Sequence, residues 1–279
     1  MFVWILPFIE QTAAYNTFVS HDVLGDANYN TMDAATPDSN FNDVLTSKYD
    51  ALLCPSDSNS SRKTATDRAC TNYVYRSGDY AIFSNDFSNR NRGPFGIGKW
   101  LGLNAVHDST SNSLLFSERV IAKTNGRGIK ESYVVAVTNV FASSSAGGCE
   151  SNFIPLLCLN TKDKNEYSIS LAPTVTNRHG IYWCIGMPPF TWTNTILPPN
   201  APSCTSHNNN EFPMIHPPTS YHSGGVNVVR ADASGGFISE TVDAGTLLST
   251  GNNCKLSGES PFGIWGAFGS IDGYEGKGL

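Results

Sequence analysis

The chain has 279 residues, with 24 acidic against 18 basic side chains and a formal net charge of −6. Only 15% of residues are charged and 11% are aromatic, which excludes a disordered acidic chain. No basic excess points to nucleic acid, and the composition is not that of a long helix or coiled coil.

The first apolar run, Met1–Ile9, is interrupted by Pro7 and falls well short of the ~20 residues a membrane helix needs. It has no basic stretch and no small-residue cleavage site, so it does not read as a signal peptide. Residues 7–18 predict a short amphipathic helix: Pro7 suits a first turn, and Phe8, Ile9, Tyr15 and Phe18 fall near one face. Residues 20–47 are rich in Asn, Asp, Ser and Thr and read as a polar loop with one short helical turn.

Strand signals dominate from there. Asn72–Arg76, Tyr80–Phe83, Ser113–Glu118 and Ser132–Ala142 are rich in Val, Tyr, Phe and Leu, and Ile169–Val175 follows. Tyr133–Val137 is apolar without alternation, as in a strand covered on both faces. Val226–Ala231 and Gly236–Val242 predict a hairpin around Asp232-Ala233-Ser234-Gly235. Residues 143–148 read as a flexible Ser/Gly tract. Residues 187–218, with eight prolines, read as an extended surface segment. No internal repeat and no sharp break divides residues 1–279, so one α+β domain, mostly antiparallel β with long loops, is expected.

Seven cysteines (54, 70, 149, 158, 184, 204 and 254) include no Cys-x-x-Cys pair, so a zinc ribbon is not indicated. Disulfides in an oxidising compartment are the preferred reading, with the pairing open and one thiol left over.

Most chemical motifs fail on a required residue. Gly93-Pro-Phe-Gly-Ile-Gly98-Lys99 follows a phosphate-loop pattern, but Trp100 stands where Ser or Thr should hold magnesium. Asp26, Asn28 and Asn30 imitate the start of a calcium loop that lacks its Gly and its closing Glu. His207, His216 and His222 share no helix or strand face, and ordinary loop hydrogen bonds are expected of them. Asp108–Asn112 reads as a turn cluster. Glu118, followed by Arg119, reads as half of a buried ion pair with an Arg, since no second carboxylate completes an acid–base pair. Ser223 beside His222 is the only adjacent nucleophile–base candidate, and neighbours on a strand point to opposite faces.

Several segments taken in order resemble one family. They are Val3-Trp4-Ile5-Leu6-Pro7-Phe8-Ile9-Glu10-Gln11, Cys54-Pro55-Ser56-Asp57, Thr71-Asn72-Tyr73 and Asp108–Asn112 leading to Glu118-Arg119. After them come Asn194–Cys204, Ser220–Val228 and Pro261–Ala267. Together they resemble DUF1559, a family of pseudopilin-like proteins abundant in planctomycetes and once labelled extracellular solute-binding. Its C-terminal signature is His, nine residues, then Asp-Gly; His222 and Asp232 keep the spacing, with Ala233 in place of Gly. Arg230 stands where the family usually has an apolar residue, and is expected at a strand end, snorkelling or paired.

The resemblance implies a pilin-like globular head of residues 1–279, with residues 220–243 as its C-terminal hairpin. It implies a prepilin leader and a membrane-length helix ahead of such a head; the chain starts where the family enters its head, so a head without its spine is expected. Cys54, Asp57, Asp108, Asn112, Glu118, Cys204, His222, Gly224, Gly225 and Asp232 are its structural signature. Gly224-Gly225 permits a tight entry with positive φ, Asp232 turns the hairpin, and His222 is expected to hydrogen-bond across the loop base and lock it.

The expected function is non-enzymatic: an extracytoplasmic (periplasmic or cell-surface) head of a type II secretion or type IV pilus-like subunit. Its partners would be other pilin-like subunits or secretion-system components. No nucleic acid is expected, and the membrane is met only through the missing helix. No cofactor or metal is expected, a structural cation such as calcium being the alternative. The rival function is a solute- or polysaccharide-binding module in which Trp183, Phe190 and Trp192 stack on sugar rings.

Overall fold

The computed structural model describes residues 2–21, 39–60, 68–81, 92–96, 101–123, 126–135, 137, 140–141, 153–168, 174–176, 178–207, 213–248 and 258–273. The candidate calcium loop, the Ser/Gly tract, Cys149, Cys254 and residues 97–100 lie outside them. Among the described residues no helix is long and apolar enough to cross a membrane.

Helices α1 (Phe2–Ile5), α2 (Thr12–Ser20) and α3 (Ser39–Thr46) build the N-terminal side, with a 3-10 turn at Leu6–Ile9. The helix expected over residues 7–18 is thus two pieces. Glu10 takes a left-handed conformation (φ 62°), and the Gln11 N–H closes back on Leu6 O at 2.9 Å, a helix-ending arrangement. The break turns Phe8 into solvent while Phe18 stays buried, so the two do not share the predicted face.

A five-stranded sheet has the order β11-β10-β2-β1-β7. Its strands are β1 (Tyr73–Arg76), β2 (Leu114–Glu118), β7 (Trp192–Thr193), β10 (Gly225–Arg230) and β11 (Gly235–Ser239). A second sheet, β6-β3-β8-β9, contains β3 (Tyr133–Val135), β6 (Thr174–Thr176), β8 (Cys204–Thr205) and β9 (Met214–Ile215). A two-stranded ladder joins β4 (Lys162–Asp163) to β5 (Glu166–Tyr167). Short helices α4 (Pro155–Leu159), α5 (Pro188–Thr191) and α6 (Gly263–Gly269) complete the described elements. The fold is α+β. Its sheets are mixed: β1/β7 and β3/β8 are parallel pairs, and the other pairs are antiparallel.

Aromatic packing holds the largest core. Phe18 meets Phe41 at 5.2 Å and Trp183 at 5.9 Å between ring centroids, and Tyr49 meets Trp183 at 4.7 Å. Tyr75 of β1 packs on Trp192 of β7 at 5.3 Å. These contacts remove the proposed sugar-stacking surface. Trp183 is 1% exposed, Trp192 3% and Phe190 4%. The Trp183 indole N–H donates to Leu45 O at 3.2 Å and that of Trp192 to the Tyr75 hydroxyl, so even their polar edges face inward.

The Pro-rich segment also departs from the surface run expected of it. Residues 188–205 are almost wholly buried and contribute α5, β7 and β8. Proline brings no N–H that must be satisfied inside, so a Pro-rich run enters a core with fewer orphan donors than other irregular chain. Asn194 supplies remaining bonds: its amide donates to Met214 O at 2.8 Å, and its side-chain oxygen accepts the His216 N–H at 3.0 Å.

Of the other expected strands, Tyr80 and Ala81 are not in a strand and β3 covers Tyr133–Val135 of residues 132–142; residues 82–83, 136, 138–139, 142 and 169–173 lie outside the described residues. Cys158 and Cys204 form a disulfide that ties α4 to β8.

Candidate functional site

Four of the signature segments, 54–57, 71–73, 118–119 and 220–228, meet at one end of the interior strands β1, β2 and β10. β2 runs antiparallel to β1 and ends with Glu118 opposite Tyr73. Asn72, just before β1, binds three segments at once. Its side-chain oxygen accepts the Cys54 N–H (2.8 Å), and its amide donates to Asp57 Oδ2 (2.6 Å) and to Arg119 O (3.0 Å). Asp57 is buried, with both oxygens engaged: Oδ2 also accepts the Ile121 N–H (2.9 Å), and Oδ1 the Asn59 N–H (2.8 Å). Hydrogen bonds to a buried carboxylate are worth about 1.5–3 kcal/mol each, so this network fixes the 54–57 loop against the ends of β1 and β2.

That loop presents Cys54 to Glu118 and His222. Cys54 Sγ lies 3.8 Å from His222 Nε2, and the same nitrogen lies 3.3 Å from Glu118 Oε1. The three donor atoms are within 4.8 Å of one another. Asn227 of β10 orients Glu118: its backbone N–H donates to Oε2 (3.0 Å) and its side-chain amide to Oε1 (2.8 Å). Cys54 and Glu118 are buried and His222 half-buried; Cys54 and Glu118 line a shallow cleft open to solvent and bordered by Ser56, Asp57 and Tyr221. Burial above all, and then Cys54 and Glu118, push the Tyr73 phenol above its ordinary pKa, so it stays protonated beside them.

His222 and Asp232 do not meet. Between them β10 runs six residues, roughly 20 Å of extended chain, and places them at opposite ends. Asp232 is fully exposed at the tip, where its Oδ1 accepts the Ser234 N–H at 2.9 Å; the Ser234 hydroxyl and N–H hold its carboxyl below the usual range. Ala233 sits in the left-handed region at φ 66°, where the family's Gly would be at ease. Arg230, at the strand end, reaches back to Ser234 Oγ and Gly235 O, both at 3.4 Å. Gly224 has φ +80°, a conformation that favours glycine, and a Cβ on Gly225 would come within 2.0 Å of Ile238 O, so a larger residue does not fit at 225.

Glu118 and Arg119 do not pair with one another, and no ion pair of Glu118 with an Arg is found among the described residues; its partners are Asn227 and His222. Arg119 turns inward instead. It donates to Pro217 O, to Ser203 Oγ (2.8 Å) and to His179 Nε2 (3.0 Å). His179 Nδ1 then contacts His216 Nε2 at 2.6 Å, and His216 Nδ1 contacts Trp192 O at 3.0 Å. The guanidinium only donates and the carbonyl only accepts, so both imidazoles are neutral and carry their proton on Nδ1. Burial, reinforced by the Arg119 charge, drives both well below the usual histidine pKa. Burial also lowers Arg119 to about 9, which leaves it charged at neutral pH.

Asp108 serves the C-terminal segment: its Oδ2 accepts the Ser270 hydroxyl (3.0 Å) and the Gly273 N–H (2.6 Å). Asn112 closes the turn by donating its backbone N–H to Ser109 O at 3.1 Å. Cys204 is in the disulfide, and Ser223 is exposed.

A family model described as "Protein of unknown function (DUF1559)", named SBP_bac_10, matches residues 2–245. The chain belongs to that family. The match includes all three segments that build the Cys54–Glu118–His222 cluster and stops before the 261–267 motif. No curated protein and no solved structure matches.

Sequence reading thus found Cys54, Asp57, Glu118 and His222 as family signature but not as one cluster. It missed Asn227 and His179. Asn227 lies inside an apolar strand run, and His179 lies in no motif, so neither carried a local signal.

The geometry is not that of a nucleophile–base–orienter triad. In a triad the acid holds one imidazole nitrogen while the nucleophile uses the other. Here Glu118 and Cys54 address the same nitrogen, so the arrangement suits holding a positive centre more than moving a proton from thiol to substrate.

Proposed function

We propose that this chain is a non-enzymatic domain that works through contacts with other macromolecules: the extracytoplasmic head of a pseudopilin-like subunit. Its partners in this reading are other pilin-like subunits or secretion-system components. The observation that carries it is Phe8, 86% exposed on the N-terminal helical segment of an otherwise well-buried aromatic core. A large apolar side chain this exposed favours a contact with another macromolecule. In a pilin-like subunit this end of the head adjoins the helix and neighbouring subunits. The Cys158–Cys204 disulfide accords with an oxidising compartment.

The test is cross-linking in cells that make the protein. The expected result is recovery in the envelope or sheared surface fraction, cross-linked to pilin-like subunits. Phe8→Ser should reduce those cross-links while leaving the melting temperature unchanged. Recovery in the cytosol without such cross-links overturns the proposal.

A second reading, a solute-binding module, draws on the name of the family model and on the cleft beside Glu118. With Trp183, Phe190 and Trp192 buried, its ligand would be small and polar and not a stacked sugar.

A further inference from the structure

The geometry points to a transition-metal site, with zinc as its natural ion, held by Cys54 Sγ, Glu118 Oε1 and His222 Nε2 with solvent as the fourth ligand. The site is independent of the assembly reading and departs from the sequence expectation of no metal.

Three electron-rich atoms from segments far apart in sequence converge on one point. Sulfur, imidazole nitrogen and carboxylate oxygen repel one another there unless something positive lies between them: a proton on the imidazole, or a metal. The distances accommodate a metal. Zinc bonds of about 2.3 Å to sulfur and about 2.0–2.1 Å to nitrogen or oxygen put tetrahedral ligand atoms about 3.6 Å (S to N) and about 3.3 Å (N to O) apart. The corresponding separations here are 3.8 and 3.3 Å, and the sulfur-to-oxygen separation lies within 4.8 Å.

The ligands are also positioned in advance. The Asn72 side chain holds the Cys54 backbone at 2.8 Å, and Asn227 grips both oxygens of Glu118. Outer partners of this kind fix ligand orientation in metal sites. The donor set then selects the ion. A thiolate beside an imidazole is too soft for calcium or magnesium, which take oxygen ligands. The adjoining cleft, lined by Cys54 and Glu118 and open to solvent, gives an ion its entry path. Such a site would staple the 54–57 loop, the end of β2 and the lead into β10 to one another.

The experiment is titration of the intact, oxidised chain with Co2+ under anaerobic conditions without reductant, so that the Cys158–Cys204 disulfide is kept. The expected result is a thiolate-to-cobalt charge-transfer band that saturates at one ion per chain and is bleached by one equivalent of Zn2+. Cys54→Ser should abolish the band. His222→Ala, at a half-exposed side chain that the fold tolerates losing, should weaken zinc by more than the ~10–100-fold typical of outer-shell changes. Circular dichroism checks that both variants are folded. Absence of the band in the folded wild-type chain leaves the cluster held by a proton alone and overturns the proposal. A band that survives in Cys54→Ser places the metal on other thiols and overturns it equally.

Discussion

Acid should unfold this protein through its two buried histidines. His179 and His216 are enclosed in the core and locked as neutral Nδ1–H tautomers between Arg119 and Trp192 O. In the unfolded chain each takes up a proton as the pH falls through about 6.5, while in the folded chain burial and the Arg119 charge keep the proton off. Below pH 6.5 the unfolded state therefore binds more protons, and stability falls with pH; above 6.5 this contribution is fully present. Each imidazole contributes a slope of about 1.4 kcal/mol per pH unit, so the step from pH 7 to pH 5 costs about 2 kcal/mol per histidine and about 4 kcal/mol for both. That is a large share of the 5–15 kcal/mol typical of a folded domain.

Urea unfolding at half-unit steps between pH 7 and 5 measures it. His179→Gln, whose amide can still accept from Arg119 and donate to His216, should remove one proton from the linkage and about halve the slope. Nitrogen-resolved NMR of the imidazoles should show both as Nδ1–H and neutral throughout the folded range. A folded-state imidazole titrating near 6.5, or slopes that do not differ between wild type and His179→Gln, refutes the reasoning.

Two further outcomes are expected. Ala233→Gly should stabilise the protein by about 1 kcal/mol, raising the melting temperature by about 2 °C, because the position has φ 66° and a Cβ is strained there; a lower melting temperature would contradict it. Replacing both Cys158 and Cys204 by Ala opens a link spanning 46 residues and should cost about 4 kcal/mol by loop-closure entropy, read from urea midpoints; a loss under 1 kcal/mol would show that the link constrains little.

Elements set by local chemistry were legible from the residues alone. The β10–β11 turn follows from Asp232 and Gly235 between two apolar runs, and β1 and β2 from short β-branched and aromatic stretches. Family membership was legible too, because it rests on ordered motifs such as Cys54–Asp57 and His222 to Asp232. The N-terminal helix break was not, since Glu10 has no preference for the left-handed conformation that splits it. Exposure of Trp183, Phe190 and Trp192 could not be read either. A Pro-rich run looks like surface chain locally, and only packing against Tyr75, Leu45 and Tyr182 buries it.

The amino-acid order determined the family and that the chain folds as α+β. Tertiary structure alone decided which side chains meet. Cys54, Glu118 and His222 stand far apart along the chain and share no local periodicity, so only the antiparallel pairing of β1, β2 and β10 brings them together. The same pairing separates His222 from Asp232, because an extended strand carries a fixed spacing in sequence to opposite ends of a sheet.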